Sequence, residues 1–380
     1  MIRIETPYLR KENNRLVLYA PITLEGKRQL AWFSTEEEYG RFLTDDRLDA
    51  FVVGFLTTAM RQGEDIVCEA PLTRRLYYQL TQYLIPVMAS NMEIYHPISI
   101  YAPLTDTPLP CEGAVGTGWT GGVDCMYTLM THIQAQEPSR RLTHLLVANV
   151  GTLESDHNTE LLHHMVQKTK DGIAAEANLQ VVGIDSNLHL LQKENYLAVA
   201  AFRLPAAVLA LQKLFGVFLN SAGYEFSRFS FVQENSAYYE LLPLSCFETD
   251  CTVFYSTGGQ TSRIQKLGEL SKFPYALKYL HPCIYQHRSG NCGTCGKCIR
   301  TMGALYAIGT LDLFKDVFDV AYFYEHKNDY LLDILSKGNS QHYGEVLTAM
   351  KQHGVEMPPE VLRLYRIRRA AMAVAKKHSD

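Results

Sequence analysis

The sequence predicts an α/β protein: a parallel sheet flanked by helices, a small α+β domain before it and a helical extension after it. Three observations carry this reading. From Glu112 onward, short apolar runs alternate with longer amphipathic ones, as in strands joined by crossover helices. Before that point, two β-type runs meet at a glycine turn. Beyond Thr310 only helical periodicity is present. A chain of 380 residues exceeds one ordinary core, and the expected parts are residues 1–108, 112–310 and 311–380.

In the first part, residues 15–24 and 28–33 read as a strand pair across Glu25-Gly26-Lys27. Residues 48–61 read as a helix, 65–69 as a short strand, and 73–85 as a second helix after Pro71. The Pro- and Thr-rich stretch 101–110 reads as a linker. This part carries no phosphate-loop pattern and no metal-ligand spacing, so a packing role is expected. In the second part, strands are expected at 143–150, 180–184, 216–220 and 252–255, with helices at 157–178, 195–214 and 261–270. Ligands of such sheets sit beyond the carboxyl ends of the strands. Thr120, Val150, Asp185 and Ser221 fall at those ends. The last helix, 361–377, is rich in Arg and Lys, which suit a helix C-terminus.

The segment Thr120-Gly121-Gly122-Val123-Asp124-Cys125 lies between an apolar run, 113–119, and an amphipathic one that opens with Met126. That is strand, glycine turn, helix. Two glycines let the backbone approach an anion, and the helix start aims unpaired N–H groups at it. Thr120 adds a hydroxyl for a phosphate oxygen, and Asp124 can hold a metal ion that bridges phosphates. No Gly-Lys-Ser/Thr follows, which excludes a Walker loop. Gly116, Gly118 and Gly121 spell G-x-G-x-x-G, but the next strand ends Ala148-Asn149-Val150 without the acid that a dinucleotide site needs.

Nine cysteines divide into five scattered ones (Cys68, Cys111, Cys125, Cys246, Cys251) and a group of four: Cys283, Cys292, Cys295 and Cys298. Two-residue spacers with glycine fold the backbone around one ion, and four thiolates satisfy tetrahedral zinc. An iron–sulfur run would want a further Cys soon after, where Met302 stands. With all four places filled by thiols, the site is closed and structural, and Lys297 and Arg300 can offset its negative charge.

A net charge of −4 argues against a large nucleic-acid footprint. The start of the sequence is charged and lacks the apolar stretch of a signal peptide. The longest apolar region, 197–211, is interrupted by Arg203 and Pro205 and does not read as a membrane span. A cytoplasmic location without membrane association is the expectation.

The two motifs together resemble a known family. Ser-Gly-Gly-x-Asp-Ser at the first strand-to-helix turn marks the PP-loop ATP pyrophosphatases, of Rossmann-like fold. A C-x8-C-x2-C-x2-C zinc site late in the chain marks their 7-cyano-7-deazaguanine synthase branch. The resemblance spans roughly residues 112–310. Thr120 stands where the family has its first Ser, Gly121, Gly122 and Asp124 match, and Cys125 replaces the closing Ser. The resemblance implies ATP, Mg2+ and Zn2+, with ATP lined by residues 120–125, Val150 and Asp185, and with catalytic roles for Asp124, Arg263 and Lys266. It also implies the chemistry. A carboxylate or carbonyl oxygen of a small-molecule acid or modified base is adenylated, pyrophosphate leaves, and ammonia or a sulfur donor displaces AMP. No glutaminase signature is present, so free ammonia or a separate donor protein is implied, and a homodimer is compatible. Two other readings stand beside this one: a tRNA or small-molecule thiolation enzyme, with Cys125, Cys246 or Cys251 as sulfur carriers, and a non-catalytic ATP-binding module of a defence or biosynthetic assembly.

Overall fold

The computed structural model describes residues 1–151, 159–287 and 290–377. The start of the helix expected at 157–178 lies outside the described residues. The chain divides into two compact units, residues 1–119 with 128–260, and residues 120–127 with 261–380.

The first unit is built on one mixed, mostly parallel sheet flanked by helices. Its eleven strands are β1 (Ile2–Ile4), β2 (Tyr8–Glu12), β3 (Arg15–Leu24), β4 (Lys27–Glu36), β5 (Ile66–Cys68), β6 (Ile100–Tyr101), β7 (Ala114–Gly118), β8 (His144–Asn149), β9 (Gln180–Ser186), β10 (Phe215–Ser221) and β11 (Val253–Thr257). Their order is β11-β10-β7-β8-β9-β4-β3-β1-β5-β6, with β2 also pairing β3. From β11 to β9 every pairing is parallel, and the order reverses between β7 and β10. Of these, β7, β8 and β9 are largely buried on both faces, so they read as apolar runs rather than as alternating ones.

β3 and β4 form the expected hairpin. Leu24 pairs with Lys27, and Glu25 and Gly26 both take left-handed backbone (φ 50° and 73°), the two-residue turn that matches strand twist. β4 then pairs antiparallel with β9, Asp185 opposite Ser34. The hairpin of the N-terminal segment thus covers what would be an open edge of the parallel strands, and the sheet runs on through it. The main apolar core draws on both segments: Phe33, Phe51 and Phe55 lie in one cluster with Val182, Phe202 and Phe218.

The longer helices before residue 260 are, in chain order, α1 (Asp49–Gln62), α2 (Val123–His132), α3 (Thr159–Thr169) and α4 (Tyr196–Ala210). Helices α1 and α4 pack on each other in that core. In α4 the Asn195 side chain caps the first turn by accepting from Leu197 N–H at 3.0 Å. The helix also carries Pro205 and the buried Arg203, whose Nε donates to Gln192. Among the described residues, no helix is long and apolar enough to cross a membrane.

The second unit is helical: α5 (Arg263–Leu270), α6 (Gly296–Ala307), α7 (Lys327–Ser336), α8 (Gln341–Gln352) and α9 (Pro359–Lys377). Met302, Leu305, Ile334, Val346, Met350 and Val361 supply its interior. α6 packs on α7 and α8, and α7 on α9.

The left-handed turn yields a test. Replacing Gly26 by Ala meets open space, so the cost is conformational alone, about 1 kcal/mol of unfolding free energy. Urea denaturation of G26A checks it.

Candidate functional site

The glycine loop, both cations singled out with it and all four grouped cysteines fall in the second unit. Gly121 has φ +75°, and a Cβ there would lie 3.1 Å from the His281 Cβ. Its carbonyl accepts from the His281 backbone N–H at 2.7 Å. Conformation and crowding therefore both require glycine at 121, and the loop is pinned two residues ahead of Cys283. Thr120 is exposed, Gly122 half-buried and Val123 buried.

Helix α5 begins with a capping box: Ser262 Oγ accepts from Gln265 N–H, and Gln265 Oε1 accepts from Ser262 N–H. That fixes Arg263 and Lys266, three residues apart, on one face. Both turn to Asp124. Arg263 Nη2 lies 2.5 Å from one carboxylate oxygen, and Lys266 Nζ 3.0 Å from the other. Lys266 is 2% exposed, Arg263 16% and Asp124 19%. Burial alone would raise the Asp124 pKa, but Arg263, Lys266 and His342 together hold it below the ordinary carboxylate value. Tyr127 closes the group: its hydroxyl donates to Glu269 Oε2 at 3.2 Å, and Lys266 Nζ lies 5.7 Å from its ring centre.

Cys125 is buried, and its thiol donates to the Gly122 carbonyl at 3.3 Å. Burial pushes the thiols of Cys125, Cys246 and Cys251 up, so none of the three is poised as a thiolate at neutral pH.

The four grouped cysteines converge. Their Sγ atoms all lie within 4.8 Å of one another, and Cys292 and Cys298 are 3.9 Å apart. Four sulfurs held about 2.3 Å from a tetrahedral zinc are about 3.8 Å apart, so the set fits that ion. Backbone amides support it. Cys295 N–H donates to Cys292 Sγ at 3.2 Å, and Cys298 N–H to Cys295 Sγ at 3.5 Å. Burial works against charge on Cys292, but the Cys295 N–H, Thr294 and Cys283 outweigh it and bring the thiol down to about 6. Burial and the neighbouring sulfurs push Cys283 and Cys298 up. A bound cation is what would let all four ionise together. The cluster could therefore hold a metal such as zinc.

The other sequence-proposed residues lie in the first unit. Val150 is buried at the end of β8. Asp185, 1% exposed, is fully engaged: it accepts from Asn149 Nδ2 at 2.8 Å, from Ser186 N–H at 2.9 Å and from Thr159 Oγ1 at 3.0 Å. Two second-unit features went unread in the sequence: the His281 clamp on Gly121 and the pull of His342 on Asp124. Neither leaves a mark in local spacing.

Comparison with known protein families, with curated proteins and with solved structures finds no match to this chain.

Two outcomes are expected. Asp124→Asn leaves two largely buried cations without their counter-charge and should cost about 3 kcal/mol at neutral pH. Because the Asp124 pKa is lowered by folding, its contribution is full above the unfolded value of about 3.9 and is lost as pH falls through the folded one. The stability gap between wild type and D124N should thus close in acid, as thermal unfolding from pH 7 to pH 2 would record. Second, mass spectrometry of the metal should find about one zinc and no iron per chain, and Cys292→Ser should lose it.

Proposed function

We propose that the chain is an ATP-dependent, AMP-forming enzyme that adenylates a carboxylate or carbonyl oxygen for attack by ammonia or a sulfur donor, in the manner of 7-cyano-7-deazaguanine synthases. One observation carries the reading. The carboxylate at the head of the glycine loop is gripped by two cations from a helix 139 and 142 residues away, in the unit that also holds the four-thiol cluster. A parallel strand order that reverses beside β7, the strand that leads into this loop, supports a Rossmann-like PP-loop fold.

In this reading residues 120–123 and the start of α2 bind the triphosphate, through backbone N–H groups and the Thr120 hydroxyl. Arg263 and Lys266 exchange Asp124 for the phosphates and hold the leaving pyrophosphate where its charge develops. Magnesium, when bound, supplies further neutralisation of phosphate charge, and Asp124, released from its cations, is the residue that would hold it. The substrate oxygen bonds to the α-phosphorus as the bond to pyrophosphate breaks. The incoming nitrogen or sulfur then bonds to the activated carbon and AMP departs. The protein orients and neutralises, and no side chain need become covalently attached. The buried, raised thiols favour a donor from outside the chain over an internal sulfur carrier.

Incubation with ATP, magnesium and a panel of small carboxylic acids should release pyrophosphate with at least one of them. Lys266→Ala should slow that release about 100-fold. No release with any acid, together with no ATP binding by calorimetry, would sink the proposal. ATP binding without turnover would instead favour a non-catalytic nucleotide-binding module, a reading for which Cys125 in place of a serine is the motive.

A further inference from the structure

The glycine loop is braced by a stretch without helix or strand, residues 280–283. All four residues are buried, with Leu280 at 1%, His281 at 8% and Cys283 at 0% exposure. Buried main-chain N–H groups must find acceptors, and here they can be followed one by one. Leu280 N–H turns back to the Ala276 carbonyl at 3.1 Å. His281 N–H donates to the Gly121 carbonyl at 2.7 Å, and Pro282 has none to place. Cys283 N–H donates to Asn291 Oδ1 at 3.3 Å.

Asn291 completes the brace. Its Nδ2 donates to the Leu280 carbonyl at 2.9 Å and to the Val317 carbonyl at 2.8 Å. Two carbonyl acceptors and one N–H donor fix which end of that amide is oxygen and which is nitrogen. One side chain therefore brackets His281, bonding the main chain on both sides of it. Asn291 also immediately precedes Cys292, the second cysteine of the group. The stretch that clamps Gly121 thus ends in one metal-site thiol, Cys283, and is stapled to the neighbour of another. The grip of Arg263 and Lys266 on Asp124 is a separate tie on the loop. In the proposed reaction those cations leave Asp124 for the phosphates, whereas the main-chain bond to Gly121 needs no exchange of partners.

We infer that the four-cysteine metal site positions the glycine loop. A bound cation fixes Cys283 to the turn of Cys292, Asn291 carries that constraint to residues 280–283, and the His281 N–H delivers it to Gly121. Without the cation, hydrogen bonds of modest net worth are left to hold Cys283 beside Cys292. Asn291 and the His281 main chain are thereby positioning groups for the anion that the loop binds. The nucleotide reading above is needed for the identity of that anion and not for the coupling itself.

Amide hydrogen exchange on the full, zinc-loaded chain reads the brace directly. Removing zinc with a chelator should speed exchange of the His281 amide about tenfold or more, while the amides of α7 and α8 keep their protection. Asn291→Ala should speed it similarly with zinc still supplied. Inorganic pyrophosphate, titrated calorimetrically, reads the consequence: its affinity should fall about tenfold on chelation and in N291A. A His281 exchange rate indifferent to zinc would overturn the inference, as would a chain that takes up no zinc. Loss of protection in α7 and α8 together with His281 would also overturn it, because the metal would then be a general staple of the unit. A wild-type exchange rate in N291A would remove Asn291 from the route. Pyrophosphate affinity unchanged by chelation, with His281 exchange accelerated, would overturn the positioning role. Wild type that binds no pyrophosphate, with His281 exchange still dependent on zinc, would end the nucleotide reading and leave the coupling standing.

Discussion

The carboxylate of Asp124, held between Arg263 and Lys266, is the interaction on which the second unit turns. Two largely buried cations so close together repel each other, and without a counter-charge their burial would be costly. One residue at the first turn of α2 supplies it. The same bond ties the glycine loop to α5, whose capping box has already set both cations on one face. The four thiols are the mirror image of this problem. Ionised, they would gather negative charge that only a cation could balance, and their turn sets the start of α6. One charge balance is thus built into the unit, and a second, of opposite sign, would come with a bound metal.

The first unit solves a different problem with backbone hydrogen bonds. Five parallel strands would leave β9 with an unpaired edge, and the N-terminal hairpin closes it by antiparallel pairing. Asp185, at that junction, spends its acceptors on Asn149, Thr159 and its own neighbour's amide. An acid at the end of a parallel strand can therefore serve the sheet instead of a ligand.

What could be read from the chain follows the range of each signal. The hairpin at Glu25-Gly26, the parallel strands and the convergence of Cys283, Cys292, Cys295 and Cys298 are local patterns, and each appears where residue type and spacing placed it. Pairing of β4 with β9 was not legible, because periodicity shows which face of a strand is apolar but not whose edge it meets. The grip of Arg263 and Lys266 on Asp124 spans some 140 residues and leaves no mark in either segment alone.

The ends of the long sheet set how copies of this protein can meet. One end is β6, two residues long, and the other is β11, where the Arg140 guanidinium lies 3.9 Å from the Tyr255 ring centre. A two-residue strand gives little ladder to extend, and an arginine laid over an edge aromatic obstructs an incoming strand. Sheet-to-sheet addition between molecules is thereby discouraged at these two ends, while β2, five residues long, pairs with β3 alone. There the charges of Arg10, Lys11 and Glu12, rather than a short ladder, stand against an incoming strand.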